Sequence, residues 1–152
     1  DIGSYPGGWS QVSSNNIKSG KILAIDLKKM DKIENVSFFE LDFLENTTKD
    51  KILHFFGKKL DVILSDMAAD TTGNKSLDSI RTNQLCYEVI EFSTKMLKFN
   101  GILISKVFMG DDFLEVKDFA KSKFQKVQFF KPESSRNESR ETYIHCATLK
   151  TL

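Results

Sequence analysis

Apolar residues in this chain come in two forms: short dense blocks, and longer stretches where they recur every three or four positions. Lys21-Ile22-Leu23-Ala24-Ile25-Asp26 is a dense block ending in an acid, and Val36-Ser37-Phe38-Phe39-Glu40-Leu41-Asp42 repeats the design. Both predict buried strands with acidic C-terminal ends. Leu60-Asp61-Val62-Ile63-Leu64-Ser65-Asp66 predicts a third strand ending in an acid. Thr47-Thr48-Lys49-Asp50 offers an N-cap for an amphipathic helix through Phe56, which Gly57 closes. Leu85, Val89, Phe92 and Met96 share one face of a helix over about 77–97, the longest expected. Asn100-Gly101 then turns the chain into Ile102-Leu103-Ile104-Ser105-Lys106-Val107-Phe108, a central strand that is nearly all apolar except for its lysine. Asp111-Asp112 caps a helix that aligns Phe113, Val116, Ala120 and Phe124, and Lys126 to Phe130 forms the next strand. Glu141 to Ala147 has strand propensity and follows a loop too short for a crossover helix, so an antiparallel hairpin is expected.

Strands alternating with helices define an α/β fold: a mostly parallel, doubly wound sheet with one antiparallel strand near the C-terminus. Ligands of such sheets bind beyond the carboxyl ends of the strands, where Asp1, Asp26, Asp42, Asp66 and Lys106 fall. One strand-end Asp is commonly structural, but four on one edge weaken that reading. With 152 residues, 40% of them hydrophobic, the chain can bury one core, and a single domain over 1–152 is expected. It begins at Asp1 without a Met, as the end of a strand entering a turn, so a native N-terminal segment is expected upstream. A formal net charge of +1 leaves no global field, so a basic binding surface must be local. Two cysteines, Cys86 and Cys146, with no spaced Cys/His set fit neither a disulfide framework nor a zinc site, and no metal is expected. No apolar run nears the roughly 20 residues that span a bilayer, and no signal peptide precedes the first element. The expectation is a soluble protein in a reducing compartment.

Two features carry chemistry. Asp1-Ile2-Gly3-Ser4-Tyr5-Pro6-Gly7-Gly8-Trp9-Ser10-Gln11 is a strand end, a glycine-rich turn and a helix start, where the backbone can approach a ligand and the helix N-terminus favours negative charge. It is neither G-x-G-x-x-G nor a P-loop, which counts against a nicotinamide-dependent oxidoreductase. Lys106 is the second feature, because a charged lysine inside so apolar a run costs several kcal/mol unless paired. The remaining candidates read as structural. His54 lies beside Phe55 with no partner ligand, His145 and Cys146 point to opposite faces of a strand, and Cys86 falls on an apolar helix face.

Three blocks resemble the FtsJ/RrmJ-type RNA ribose 2′-O-methyltransferases, nearest the bacterial and organellar ribosomal-RNA branch. They are residues 1–11 as quoted, Leu-Ser-Asp-Met-Ala at 64–68, and Ser-Lys-Val-Phe-Met-Gly at 105–110 together with Lys-Pro-Glu-Ser-Ser-Arg-Asn-Glu-Ser-Arg-Glu-Thr-Tyr at 131–143. The resemblance implies a Rossmann-like domain that uses S-adenosylmethionine as its cofactor. It implies cofactor contacts by Gly7 and Trp9, ribose hydroxyls on Asp26, the adenine amine on Asp42, and Asp66 where methionine and acceptor meet. It also implies a catalytic set in which Asp66, Lys106 and Glu141 match the last three members. The first member, a lysine, belongs upstream of the glycine turn, and without it the chain is expected to be nearly inactive. Lys131, Arg136 and Arg140 flank this edge in a Ser/Asn-rich loop and are candidate RNA phosphate contacts. Two departures, Ala69-Asp70 in place of Pro-Asn and Tyr5 in place of a small residue, would reshape loops near the acceptor.

The implied activity is methyl transfer to a ribose 2′-hydroxyl of RNA, with uridine in large-subunit ribosomal RNA as the expected acceptor. Alternatives are the same chemistry on tRNA or an mRNA cap, or a catalytically silent RNA-binding or ribosome-assembly factor. A monomer is expected, cytoplasmic in a bacterium or in a mitochondrion or other organelle of a eukaryote.

Overall fold

The alternation of strand and helix is carried through in the computed structural model, which describes residues 1–151. The chain forms two compact units, residues 1–58 and residues from Lys59 onward.

The first unit contains α1 (Gly8–Asn16), β1 (Ile22–Asp26), β2 (Val36–Glu40) and α2 (Asn46–Phe56). β1 and β2 pair in parallel, from Ile22 with Val36 to Asp26 with Glu40. Ile2 bridges Ile25 in parallel on the other side of β1, so Asp1-Ile2-Gly3 does behave as a strand end. Ile2, Leu23, Ala24, Ile25, Met30, Phe43 and Ile52 are buried here.

β2 departs from the expectation of a buried strand through Asp42. Its residues are half-buried or exposed, and the strand stops at Glu40. Among the described residues its ladder is to β1 alone, so Phe38 and Phe39 keep part of their surface in water. Pairing ends where Leu41 N–H reaches the Asp26 carbonyl, and Asp42 then opens a turn. Threonine does not cap α2 either. The cap position is Glu45, Thr47 to Asp50 lie inside the first turns, and Gly57 closes the helix as expected.

The second unit contains β3 (Leu60–Ser65), α3 (Lys75–Met96), β4 (Leu97–Phe108), α4 (Phe113–Lys123), β5 (Phe124–Phe130) and β6 (Glu141–Leu149). The strand order is β3-β4-β6-β5. β3 and β4 run parallel across α3, while β6 lies antiparallel to both β4 and β5, which is the expected single reversed strand. β4 is central, with Leu103 and Val107 wholly buried. Asn100-Gly101 does not separate two elements. Leu60 pairs with Leu97 and Val62 with Ile102, so residues 98–101 form an irregularity within β4.

Helix α3 buries Val89, Phe92 and Met96 as the spacing predicts and leaves Leu85 half-buried, and its buried face also carries Asp78, Ser79, Thr82, Asn83 and Ser93. These polar groups hold loops. Thr82 Oγ1 accepts from Ala69 N–H at 3.1 Å, and Asp78 Oδ1 accepts from the Thr72 amide and hydroxyl at 2.8 and 2.7 Å. Those Thr72 bonds hold the Asp78 carboxyl below the usual carboxylate range. The acids before α4 cap no helix through their side chains. Asp112 Oδ1 accepts from Asn83 Nδ2 at 2.7 Å, and Asp111 Oδ2 accepts from the Ser76 hydroxyl at 3.2 Å. Cys86 and Cys146 are buried free thiols. Among the described residues, no helix is long and apolar enough to cross a membrane.

Candidate active site

In the first unit, the glycine-rich turn is fixed by main-chain bonds from Gly3 and Ser4 N–H to the Ile25 carbonyl. The side chain of Asp1 braces the helix beyond it, accepting from Ser10 Oγ at 2.7 Å. Gly7 occupies the N-cap of α1 with φ of 120°. A Cβ there would sit 2.9 Å from Ile33 Cδ1 and 3.2 Å from Met30 Sδ, so both conformation and space demand glycine. Trp9 is half-buried on the first turn of α1.

Asp26 ends β1 with its carboxylate oriented by two main-chain donors, Tyr5 N–H on Oδ2 at 2.9 Å and Lys28 N–H on Oδ1 at 2.8 Å. Asp42 Oδ1 accepts from Leu44 N–H at 2.9 Å. Each oxygen has more than one lone pair, so both carboxylates retain acceptor capacity. Asp1 Oδ1 and Ser4 Oγ are buried with no hydrogen-bond partner among the described residues. A buried polar atom without a partner costs about 1–3 kcal/mol, and a ligand or an ordered water can supply the missing bond. The hydroxyl and amine groups of a nucleoside would be donors to the Asp26 and Asp42 carboxylates.

In the second unit, the ends of three neighbouring strands converge. Asp66 follows β3, Lys106 lies two residues from the end of β4, and Glu141 begins β6. The register sets Lys106 opposite Tyr143 and Phe108 opposite Glu141, which puts Lys106, Glu141 and Tyr143 on one sheet face. Lys106 Nζ is 3.1 Å from Asp66 Oδ1 and 3.2 Å from Glu141 Oε1. The lysine side chain is only 10% exposed, against 34% for Asp66 and 39% for Glu141, so the amine is sheltered while the carboxylates face water. An amine held by two acceptors in this way is fixed in place, and in its neutral form it can accept the proton of a hydroxyl brought to it.

Sequence reasoning assigns Tyr143 no role of its own within the Glu-Thr-Tyr string. Its hydroxyl donates to the same Asp66 Oδ1 at 2.8 Å, and its ring stacks on Phe130. The Tyr143 hydroxyl is pushed well above the usual phenol range by burial, then by its bond to Asp66 and the nearby carboxylate charges. The signal was available, since a residue two positions after Glu141 on a strand must share its face.

Lys131, Arg136 and Arg140 are exposed in the connection between β5 and β6. Lys131 Nζ braces that connection from within, donating to the carbonyls of Ser139 at 2.5 Å and Asn137 at 3.3 Å. Arg140 Nη1 reaches the Lys75 carbonyl at 3.5 Å, and its own carbonyl accepts from Met109 N–H at 2.9 Å. The connection is thereby tied to the end of β4.

The fold is the Rossmann-like one shared by solved methyltransferases. Human methyltransferase-like protein 13, solved in complex with SAH, shares the fold with a TM-score of 0.69 at 14% identity, over 97% of this chain and 69% of that one. The chain belongs to the FtsJ-like methyltransferase family, whose model matches residues 1–149. The ribosomal RNA large subunit methyltransferase E of Pelagibacter ubique is 44% identical over 99% of this chain and 74% of the relative. That of Rickettsia felis is 43% identical over 95% of this chain and 66% of the relative. A crystal structure of a ribosomal RNA methyltransferase from Plasmodium falciparum has a TM-score of 0.87 and 33% identity, over 98% of this chain and 84% of that one.

Proposed function

We propose that this protein methylates a ribose 2′-hydroxyl of RNA, with uridine of large-subunit ribosomal RNA as the acceptor. S-adenosylmethionine, when bound, supplies the methyl group on a sulfonium centre that leaves as a neutral thioether. Gly7 and Trp9 hold its methionine end, Asp26 accepts from its ribose hydroxyls, Asp42 accepts from its adenine amine, and Asp66 adjoins the methionine part. In its neutral form Lys106 Nζ accepts the proton of the 2′-hydroxyl on its free lone pair, while Asp66 and Glu141 orient the amine. Proximity, alignment and exclusion of water supply the acceleration. Lys131, Arg136 and Arg140 hold RNA phosphates. In this reading the two units act as one methyltransferase domain, working as a monomer in a bacterial cytoplasm or an organelle.

The observation that carries the reading is the sheltered Lys106 amine within 3.2 Å of two carboxylates at adjoining strand ends. Names of relatives and an approximately even charge, which rules out a diffuse polycation, support it. The test incubates the full-length protein, which carries the upstream lysine of the catalytic set, with methyl-labelled S-adenosylmethionine and large ribosomal subunits from cells lacking this modification. Alkali-resistant, 2′-O-methylated uridine is expected. Label on tRNA or a cap alone would move the substrate, label on a base would overturn the chemistry, and RNA binding without transfer would favour an assembly factor.

A further inference from the structure

We propose that Asn83, a residue of helix α3 with no place in the catalytic set, is a positioning residue that sets the end of β4 and hence Lys106. This rests on the reading of Lys106 given above.

The register explains why such a residue is needed. β3 pairs with β4 only as far as Ser65 opposite Ser105, because the chain leaves the sheet at Asp66. Lys106, Val107 and Phe108 are paired with β6 on the other side. Beyond Ser105, β4 therefore has a strand on one flank alone. Asn83 serves where β3 stops. Its Oδ1 accepts from Phe108 N–H at 2.8 Å and its Nδ2 donates to the Phe108 carbonyl at 3.1 Å. A carboxamide carries the same donor and acceptor as a peptide group, so Asn83 replaces the missing strand residue with its side chain. Its second N–H goes to Asp112 Oδ1, which ties the start of α4 to the same point. Asn83 is wholly buried.

Close packing at the next turn reinforces the clasp. A Cβ on Gly110 would stand 2.8 Å from Ser79 Cβ, so the chain leaving β4 lies directly on α3. Phe108 is the register partner of Glu141, and Lys106 precedes it by two residues on the same strand face. A shift of Phe108 therefore moves both partners of the Lys106–Glu141 contact. The same helix holds the other side of the site, since Thr82, next to Asn83, binds the Ala69 amide three residues beyond Asp66. Hydrophobic spacing gave no hint of this, because Asn83 is a polar residue on a buried helix face.

The experiment compares Asn83→Ala and Asn83→Ser with Val89→Ala. Val89 is also wholly buried on α3. Three readouts are taken: thermal midpoint, affinity for S-adenosylhomocysteine, and single-turnover methyl transfer. A fourth, the NMR signal of the Lys106 side-chain nitrogen in lysine-labelled protein, needs no activity. The Asn83 variants are expected to lose about 10- to 100-fold in the transfer rate with cofactor affinity changed less than about twofold, and to shift the Lys106 signal. Val89→Ala, matched for loss of thermal midpoint, is expected to keep both. Equal behaviour of Asn83→Ser and Val89→Ala in rate and Lys106 signal would overturn the inference. If wild-type protein transfers no methyl group yet the Lys106 signal moves in the Asn83 variants alone, the proposed function fails and the positioning role stands.

Discussion

Removing Lys106 and removing Asp66 should both stop catalysis, but with opposite effects on stability. In Lys106→Met, two ionic contacts at 3.1 and 3.2 Å are lost. Their carboxylate ends are about a third or more exposed, so each contact is worth no more than about 1 kcal/mol. The variant also relieves the desolvation of an amine left only 10% exposed, a term of several kcal/mol. The net change should fall within about 1 kcal/mol of zero or be stabilising, moving the thermal midpoint by at most roughly 4 °C. In Asp66→Ala, the sheltered amine keeps only Glu141, and the Tyr143 hydroxyl loses its acceptor. Leaving the amine with one carboxylate and taking away the hydroxyl's bond to Asp66 costs about 1–3 kcal/mol in all, or roughly 2–12 °C. The double variant should then be more stable than Asp66→Ala alone, because the half-paired amine is gone. Thermal melts of the four proteins, with transfer of labelled methyl to ribosomal RNA, check the scheme. Activity should fall at least about 100-fold in every variant. A Lys106→Met protein as unstable as Asp66→Ala would make the lysine a structural cation, and one that keeps its activity would remove Lys106 as proton acceptor.

Gly7→Ala should cost about 2–4 kcal/mol and weaken S-adenosylhomocysteine binding, since a Cβ would press on Ile33 at 2.9 Å with φ at 120°; unchanged binding by calorimetry would separate the turn from the cofactor. Asp42→Ala should raise the dissociation constant for S-adenosylhomocysteine about 5- to 150-fold, the equivalent of about 1–3 kcal/mol, and wild-type affinity would remove Asp42 from the site. Reversing the charge of Arg136 and Arg140 together should weaken RNA binding and flatten its salt dependence by about two phosphate contacts; an unchanged slope in a filter-binding series would place the RNA elsewhere. Burial pushes the Cys86 and Cys146 thiols from 9.0 up to about 12. Unfolded thiols ionise above about pH 9 and folded ones do not, so this contribution is intact below pH 9 and is lost as pH rises toward 12. Urea unfolding across that range should show stability falling more steeply in wild type than in Cys86→Ala/Cys146→Ala, and equal slopes would refute it.

The sequence by itself determined the order and kind of elements, because dense apolar blocks such as Ile102 to Phe108 and spaced ones such as Val89, Phe92 and Met96 have no other economical burial. It also marked Lys106 as exceptional, since a charge in such a block must be paired. Sequence reasoning erred where burial is decided by neighbours: β2 has the composition of an inner strand but, among the described residues, pairs with β1 alone, so Phe38 and Phe39 stay partly in water. It erred at the helix starts too, because Asp111 and Asp112 are bound by Ser76 and Asn83 from another helix and so are withdrawn from capping. Local preference is weak beside a buried hydrogen bond. Tertiary structure alone decided that Asp66, Lys106, Glu141 and Tyr143 meet, because their approach depends on the register of β4 against β6 and on β3 ending at Ser65. Contacts between residues 40 and 77 positions apart are set by strand order, which no local pattern encodes. The polar clasp of Asn83 on Phe108 belongs to the same class. A buried carboxamide is costly anywhere except opposite an unpaired peptide, and only the folded sheet shows where that peptide lies.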